Sequence, residues 1–186
     1  METVKKIELN KITKLILISI LGTVLLTISA KIKIPFYPVP MTMQTFVVLM
    51  IGIMLGTKIG LLTVSLYMFE GIFGLPVFAG TPEKGIGLLY FTGPTMGYLI
   101  GFFIAVYFSG FFKYSKNIIK NFFKLVFSVS FIYIFGLIWL GILIGWDKPL
   151  FKLGAEPFLL AELFKVLLLS FLIPILLKIK KLIKVI

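Results

Sequence analysis

The sequence predicts an all-α integral membrane protein with six transmembrane helices in a compact bundle and both termini in the cytoplasm. Three observations support this fold class. Of the 186 residues, 60% are hydrophobic and only 14% are charged, whereas a soluble domain is about half apolar and a quarter charged. The apolar residues fall into segments of membrane-spanning length. Lysines lie mainly between those segments. The segments take up most of the chain, so we treat residues 1–186 as a single membrane domain.

The first three predicted spans cover residues 12–30, 41–55 and 59–75. The first follows a lysine-rich arm and has no small-residue cleavage site after it, so we interpret it as an uncleaved helix. The second has 15 residues and covers about 22 Å, less than the ~30 Å hydrocarbon core. Because a Pro-rich apolar loop precedes this short helix, we expect a cavity on the outer side, where protein buries the irregular backbone.

The last three predicted spans cover residues 92–112, 122–145 and 157–177. Pro94 and Pro157 stand near the starts of their helices, where a missing N–H costs no hydrogen bond. Pro174 predicts a kink near the end of the sixth span.

The distribution of the lysines predicts the orientation. All 19 basic residues are Lys. Thirteen lie in the N-terminal arm, the turn between spans two and three, the loop between spans four and five, and the C-terminal tail. Five lie on the opposite side and one lies within the sixth span. Because cytoplasmic loops carry the excess of Lys and Arg, this distribution places both termini inside.

The residue types that are missing exclude several function classes. The sequence contains no His, Cys or Arg, and Asp147 is its one Asp. A His/Cys zinc site, a disulfide framework and a Ser-His-Asp triad are therefore excluded, and we expect no metal and no cofactor. No G-x-x-x-x-G-K-[ST] loop is present, which argues against an ATPase in this chain. The net charge of +12 is explained by orientation rather than by a nucleic-acid partner.

Two charged residues lie inside the sixth span. Glu162 and Lys165 are three positions apart and therefore share one helix face. One interpretation is a mutual ion pair with no further role, since intramembrane charges commonly pair. The other is that a polar ligand enters from outside and is held between an acceptor carboxylate and a donor ammonium.

Small residues mark two further helix faces. In the fourth span, Gly, Ala or Ser recurs at every fourth position from residue 93 to residue 109, which predicts close helix packing within the bundle. In the first span, Ser19, Gly22 and Thr23 form a similar face. Here two interpretations stay open, packing within the bundle and docking on a partner protein.

Three segments resemble the hallmark stretches of the BioY family, the biotin-binding S components of energy-coupling-factor (ECF) transporters. They are Ile34–Phe46, Gly71–Gly80 and Gly93–Phe102, and they occur in the family's order. The resemblance runs over essentially the whole chain. It implies six membrane helices, a biotin site near the outer surface, a membrane-spanning T component and two ATPase subunits as partners, and the cell membrane of a prokaryote as the location.

The resemblance also implies a set of ligand-binding residues, and these are Phe36, Gln44, Phe78, Gly80, Tyr98, Glu162 and Lys165. The aromatic rings would pack on biotin, Glu162 would accept its ureido N–H groups with help from Gln44, and Lys165 would be a counter-charge. The family's span-six pattern has Gly-Asp where this chain has Ala161 and Glu162. The resemblance to a helix-one docking face with Ala at every fourth position is looser at Ser19, Gly22 and Thr23.

Three alternatives to biotin uptake are kept. The nearest is an S component for another vitamin, such as riboflavin or thiamine. An intramembrane enzyme is disfavoured by the missing catalytic residue types. A purely structural membrane subunit predicts no ligand binding.

Overall fold

The backbone of this computed structural model is helical over most of its length. The structure describes residues 2–34, 37, 39, 41–83 and 85–183, and it does not describe the side chains of residues 2–11, 34 and 183. Its elements in chain order are α1 (Glu2–Lys31), β1 (Lys33–Ile34), β2 (Met41–Thr42), α2 (Gln44–Ile72), a 3₁₀ helix (Gly87–Thr92), α3 (Met96–Phe111), α4 (Ile118–Ile144), α5 (Leu150–Gly154) and α6 (Glu156–Ile183). The strands β1 and β2 pair antiparallel.

Within the described residues, four helical segments are long and apolar enough to cross a membrane, namely Ile12–Lys31, Gln44–Ile72, Ile118–Ile144 and Glu156–Leu182. The apolar α3 is shorter, with 16 residues covering about 24 Å. It begins at Met96 and not at the predicted residue 92, because Thr92 ends the 3₁₀ helix and Gly93 is extended. The remaining boundaries lie within four residues of the predicted ones, except that α1 begins ten residues earlier and α6 ends six residues later than predicted.

The second and third predicted spans both fall within α2, which is broken at Gly56. This residue has φ 77° and ψ 177°, a backbone conformation that is essentially restricted to Gly. The two arms of α2 lie side by side, as shown by the hydrogen bond of 2.8 Å that the Gln44 side chain donates to the Tyr67 hydroxyl. In a straight helix these residues would be about 34 Å apart. The chain therefore reverses direction at Gly56.

The packing stripe predicted in the fourth span is confirmed. A Cβ atom on Gly101 would lie 2.5 Å from the Cα atom of Ile132 in α4, and one on Gly97 would overlap the Phe135 carbonyl. On another face of α3, Ser109 occupies the space left by the missing side chain of Gly52. Small residues thus bring α3 into close backbone contact with both α2 and α4.

The small-residue face of α1 packs inside the bundle. Ser19 and Thr23 are each 1% exposed, and a Cβ on Gly22 would lie 2.5 Å from the Thr63 methyl group in α2. The Thr23 hydroxyl donates to the Glu70 carboxylate at 2.8 Å. These contacts favour bundle packing over the predicted docking role, because a partner protein cannot reach buried side chains. The face of α1 that is exposed is apolar, and it includes Leu17, Ile20, Leu21, Val24, Leu25 and Ile28.

We predict that Gly56→Ala destabilises the protein by about 1–3 kcal/mol, because a Cβ atom disfavours the backbone conformation that reverses the chain. The matched control is Lys58→Ala, two residues further along the same turn, where the side chain is exposed and a change within about 0.5 kcal/mol is expected. Unfolding of both variants in detergent micelles measures the difference. Equal stability of the two variants would show that the turn does not depend on glycine.

Candidate ligand-binding site

A small cavity lies between the start of α2 and the helices α3, α4 and α6. Its volume is about 60 Å³, which is room for a few water molecules. Its walls are mostly apolar, with several hydroxyl groups and one ion pair. The lining residues are Val39, Met41, Thr42, Gln44, Thr45, Ala79, Tyr90, Thr95, Tyr98, Leu99, Phe102, Ile132, Tyr133, Phe158, Glu162 and Lys165.

The ion pair predicted on α6 is present and buried. The Glu162 carboxylate and the Lys165 ammonium are 2.8 Å apart, as expected for side chains three positions apart on one helix. The two residues are 4% and 6% exposed. Because burying a single charge is costly, each group offsets part of the cost of burying the other.

The two carboxylate oxygens of Glu162 have different surroundings. Its Oε2 atom accepts hydrogen bonds from the Thr45 hydroxyl and the Tyr133 hydroxyl, each at 2.9 Å, in addition to the contact with Lys165. Its Oε1 atom is buried and has no hydrogen-bond partner among the described residues. Buried polar atoms are nearly always paired. An unpaired oxygen in this position is therefore unusual, and it remains available as an acceptor.

Lys165 is fully engaged. Besides Glu162, its Nζ atom donates to the Thr42 carbonyl at 3.0 Å and to the Thr45 hydroxyl at 2.7 Å. An ammonium group has three N–H donors, and all three are used. The predicted role as a counter-charge therefore requires a ligand anion to displace one of these acceptors. The contacts favour a different role for Lys165, which is to hold Glu162 and the β2 strand in place.

Gln44 and Tyr98, both predicted as ligand-binding residues, line the cavity beside the ion pair. The Gln44 amide donates to Tyr67, whose hydroxyl in turn donates to the Val77 carbonyl at 2.9 Å. The Tyr98 hydroxyl donates to the Gly154 carbonyl at 2.7 Å. Gln44 is thus linked through Tyr67 to the loop after α2, and Tyr98 is fixed by α5.

Two other predicted residues do not line the cavity. Phe78 is 1% exposed, because its ring stacks on Tyr90 at 4.8 Å and meets the edge of Tyr67 at 5.1 Å. Gly80 lies in the turn that follows Phe78, and its φ of 85° is a backbone conformation that favours glycine. Their neighbour Ala79 lines the cavity instead.

Phe36, the remaining predicted ligand residue, lies outside the described residues.

The loop that contains Phe78 and Gly80 is anchored by Lys31, whose Nζ donates to the Phe78 carbonyl at 2.9 Å and to the Thr81 carbonyl at 3.1 Å.

Thr45 and Tyr133 were missed by sequence reasoning, although both bond directly to Glu162. Thr45 directly follows Gln44, so its position near the site is foreseeable from the predicted span. Tyr133 carries a hydroxyl in the middle of an apolar helix, and such a group needs a buried partner. The identity of that partner depends on how α4 and α6 pack, which neither span reveals alone.

The fold and the site define a helical membrane protein built around one buried polar cluster. The chain belongs to the BioY family, whose family model matches residues 2–183. The family match thus identifies the chain as a membrane transporter protein, and the family indicates no catalytic activity.

Individual proteins of this family align over most of the chain. A probable biotin transporter BioY of Pyrococcus horikoshii is 34% identical over 76% of this chain and 82% of its own length. The biotin transporter BioY2 of Lactococcus lactis is 29% identical over 87% of this chain and 88% of its own. A crystal structure of the S-component for biotin from an ECF-type ABC transporter superposes with a TM-score of 0.75, at 28% identity, covering 91% of this chain and 93% of the other.

We predict that Lys165→Met destabilises the protein by about 3–5 kcal/mol, because it leaves the Glu162 charge buried without its partner. The double variant Glu162→Leu/Lys165→Met is expected to regain part of this loss, since it buries no charge. Unfolding of the two single variants, Glu162→Leu and Lys165→Met, and of the double variant in detergent tests the pair. A double variant that loses the sum of the two single effects would show that the two groups do not depend on each other.

Proposed function

We propose that this chain binds biotin with high affinity from outside the cell and is the substrate-specific subunit of an ATP-driven ECF transporter. The observation that carries the proposal is the free Oε1 oxygen of Glu162, buried beside an apolar cavity. The names of the BioY relatives and of the superposed S component support it.

Biotin matches the chemistry of this cavity. Its ureido group carries N–H donors, and a carboxylate is an acceptor only, so Oε1 of Glu162 would accept one of them. The neighbouring Gln44 amide offers both donor and acceptor capacity. The fused ring system is apolar and suits walls such as Leu99, Phe102 and Ile132. A mostly apolar pocket with few placed polar groups is typical of small-molecule sites.

Binding of biotin requires the cavity to widen. Pockets for ligands of this size commonly enclose about 300–1,000 Å³, whereas this cavity has about 60 Å³. The elements that close it are β2 and the loop around Ala79, which Lys165 and Lys31 hold by hydrogen bonds to backbone carbonyls. We expect ligand entry to move these two segments, because they are shorter than the helices that form the other walls.

The proposal includes six membrane crossings with both termini in the cytoplasm of a prokaryote. The reversal of α2 at Gly56 supports two crossings within that one helical range. The lysine distribution supports the orientation, since 13 of 19 lysines lie on the side that then faces the cytoplasm.

Transport needs partner proteins, because the chain has no nucleotide-binding P-loop motif. We propose a membrane-spanning T component and two ATPase subunits. The exposed apolar face of α1 is a suitable surface for the T component, since it lies opposite the residues that pack on α2.

We predict that Glu162→Gln weakens biotin binding by roughly ten-fold or more, because it replaces a charged acceptor whose hydrogen bonds are worth about 1.5–3 kcal/mol. The matched control is Glu70→Gln, which also removes a carboxylate charge but does not line the cavity. Isothermal titration calorimetry with biotin on the purified variants gives both affinities. If both variants lose affinity equally, Glu162 has no special role in the site.

The same titration separates the alternatives. We expect saturable binding of biotin to the unmodified chain and none of riboflavin or thiamine. Binding of another vitamin in place of biotin would identify an S component of different specificity. No binding of any of them would favour a structural subunit.

The orientation is tested by adding a single cysteine, since the chain has none of its own. We predict that a membrane-impermeant maleimide labels Lys152→Cys in intact cells, while Lys116→Cys reacts only after the membrane is opened. Both positions are exposed, so each is the accessibility control for the other. Labelling of Lys116→Cys in intact cells would reverse the proposed topology.

A further inference from the structure

A second cavity lies at the opposite end of the molecule from the ion pair. It has a volume of about 800 Å³. It is formed by the end of α3 and the loop that follows it, by Ile53 near the end of the first arm of α2, and by the last turns of α6. The lining residues are Ile53, Gly110, Phe112, Lys113, Tyr114, Ser115, Lys116, Pro174, Leu177, Lys178, Lys180 and Lys181. Lys181 is about 24 Å along α6 from Lys165, so this basic cavity is separate from the candidate ligand site.

The charge of the basic cavity is not neutralised by the chain around it. Five of its lining residues are lysines and none is acidic. The sequence has no Asp or Glu between residues 103 and 146, nor after Glu162. Among the described side chains, the ion pairs are those of Lys148 and Lys165, which do not line this cavity. The lysines of the cavity therefore favour an anionic ligand.

One of the five lysines has a structural role. The Lys180 Nζ atom donates to the Ile53 carbonyl at 2.7 Å. That carbonyl lies in the last turn of the first arm of α2, just before the break at Gly56, where carbonyls lack partners within the helix. Lys180 thus caps this helix end. The other four lysines are exposed and remain available to a ligand.

The loop that carries two of these lysines is held in one shape. The buried Asn121 accepts from the Ser115 N–H at 3.3 Å and donates to the Ser115 carbonyl at 2.8 Å. Lys124 donates to the Lys113 carbonyl at 2.5 Å. A site that is already formed loses less entropy when a ligand binds.

The basic cavity also contains an unused polar group. The Tyr114 hydroxyl is buried and has no hydrogen-bond partner among the residues described by the structure. Burial raises the pKa of this hydroxyl, so it stays protonated and can donate to an anion. Phe111 and Ile175, which directly adjoin the lining residues Phe112 and Pro174 in the sequence, are apolar and each more than half exposed.

We propose that the basic cavity binds the phosphate headgroup of an anionic membrane lipid, with Lys113, Lys116, Lys178 and Lys181 as its counter-charges. Exposed ammonium groups meet the phosphate, and the neighbouring apolar side chains meet the acyl chains. This arrangement matches basic pockets between transmembrane helices that recognise anionic lipids.

Native mass spectrometry of the detergent-purified chain with dioleoyl phosphatidylglycerol or dioleoyl phosphatidylcholine tests this site. Each lysine near anionic lipid contributes about five-fold in affinity. We expect the chain to prefer phosphatidylglycerol, and K113Q/K116Q and K178Q/K181Q each to weaken its binding by roughly 25-fold. The two lipids share their acyl chains, so equal binding of both by the unmodified chain would overturn the proposal.

The matched control is K58Q/K120Q, which removes two exposed lysines that do not line the cavity. It should change phosphatidylglycerol binding by less than about three-fold, and an equal loss in this variant would show a general charge effect. The charge-conserving K113R/K116R should retain binding in a folded protein, and its loss there would contradict a charge-based site.

Two further outcomes would replace the lipid with another ligand. If millimolar inorganic phosphate displaces phosphatidylglycerol completely, the cavity recognises free phosphate and not a lipid. If both lysine-pair variants keep phosphatidylglycerol but lose a co-purified membrane partner, the surface is a protein interface.

Discussion

The buried contact between Glu162 and Lys165 is the interaction on which the organisation of this end of the bundle depends. Two charges in an apolar interior are tolerated only when they are paired and their remaining hydrogen-bonding groups are satisfied. The Thr42 carbonyl and the Thr45 and Tyr133 hydroxyls provide those partners. Since these groups come from β2, α2 and α4, the requirement to satisfy one ion pair fixes three elements around α6. The Oε1 atom of Glu162 is the exception, since it has no partner among the described residues, and it is the acceptor on which the proposed biotin site depends.

The elements reach this arrangement because glycine permits close packing elsewhere. Gly56 allows α2 to reverse, which places Gln44 and Thr45 at the same end of the bundle as Tyr67. Gly97 and Gly101 allow α3 to touch the backbone of α4, and this sets the position of Tyr98 opposite Tyr133, with ring centroids 6.3 Å apart. Small residues far from the ion pair thus determine which side chains surround it.

The sequence is sufficient to predict what periodicity and composition control. The apolar segments were located to within a few residues at most boundaries, and the spacing of Glu162 and Lys165 was enough to predict their contact. Contacts between helices were harder to predict. Tyr133 shares no sequence pattern with Glu162, although its hydroxyl bonds to it. The resemblance places Phe78 in the ligand site, whereas its ring fills the space left by Gly71 in the core. The same limit applies to Ser19 and Thr23, since a small-residue face predicts close packing but does not identify what packs on it.

The two ends of α6 show how one residue type serves opposite purposes. Lys165 has three acceptors within 3.0 Å, so its charge is neutralised and its position is fixed. Lys178 and Lys181 are exposed and lie in a segment without carboxylates. Their charge is therefore not neutralised within this segment and can attract anions from outside the protein. A buried lysine without acceptors would be too costly, whereas exposed lysines with acidic partners would lose their attraction for a membrane surface. The placement of the acidic residues therefore decides the role of each lysine. The Glu162 carboxylate next to Lys165 makes a structural ion pair. Near the end of α6 the sequence has no carboxylate, which leaves a surface suited to anions.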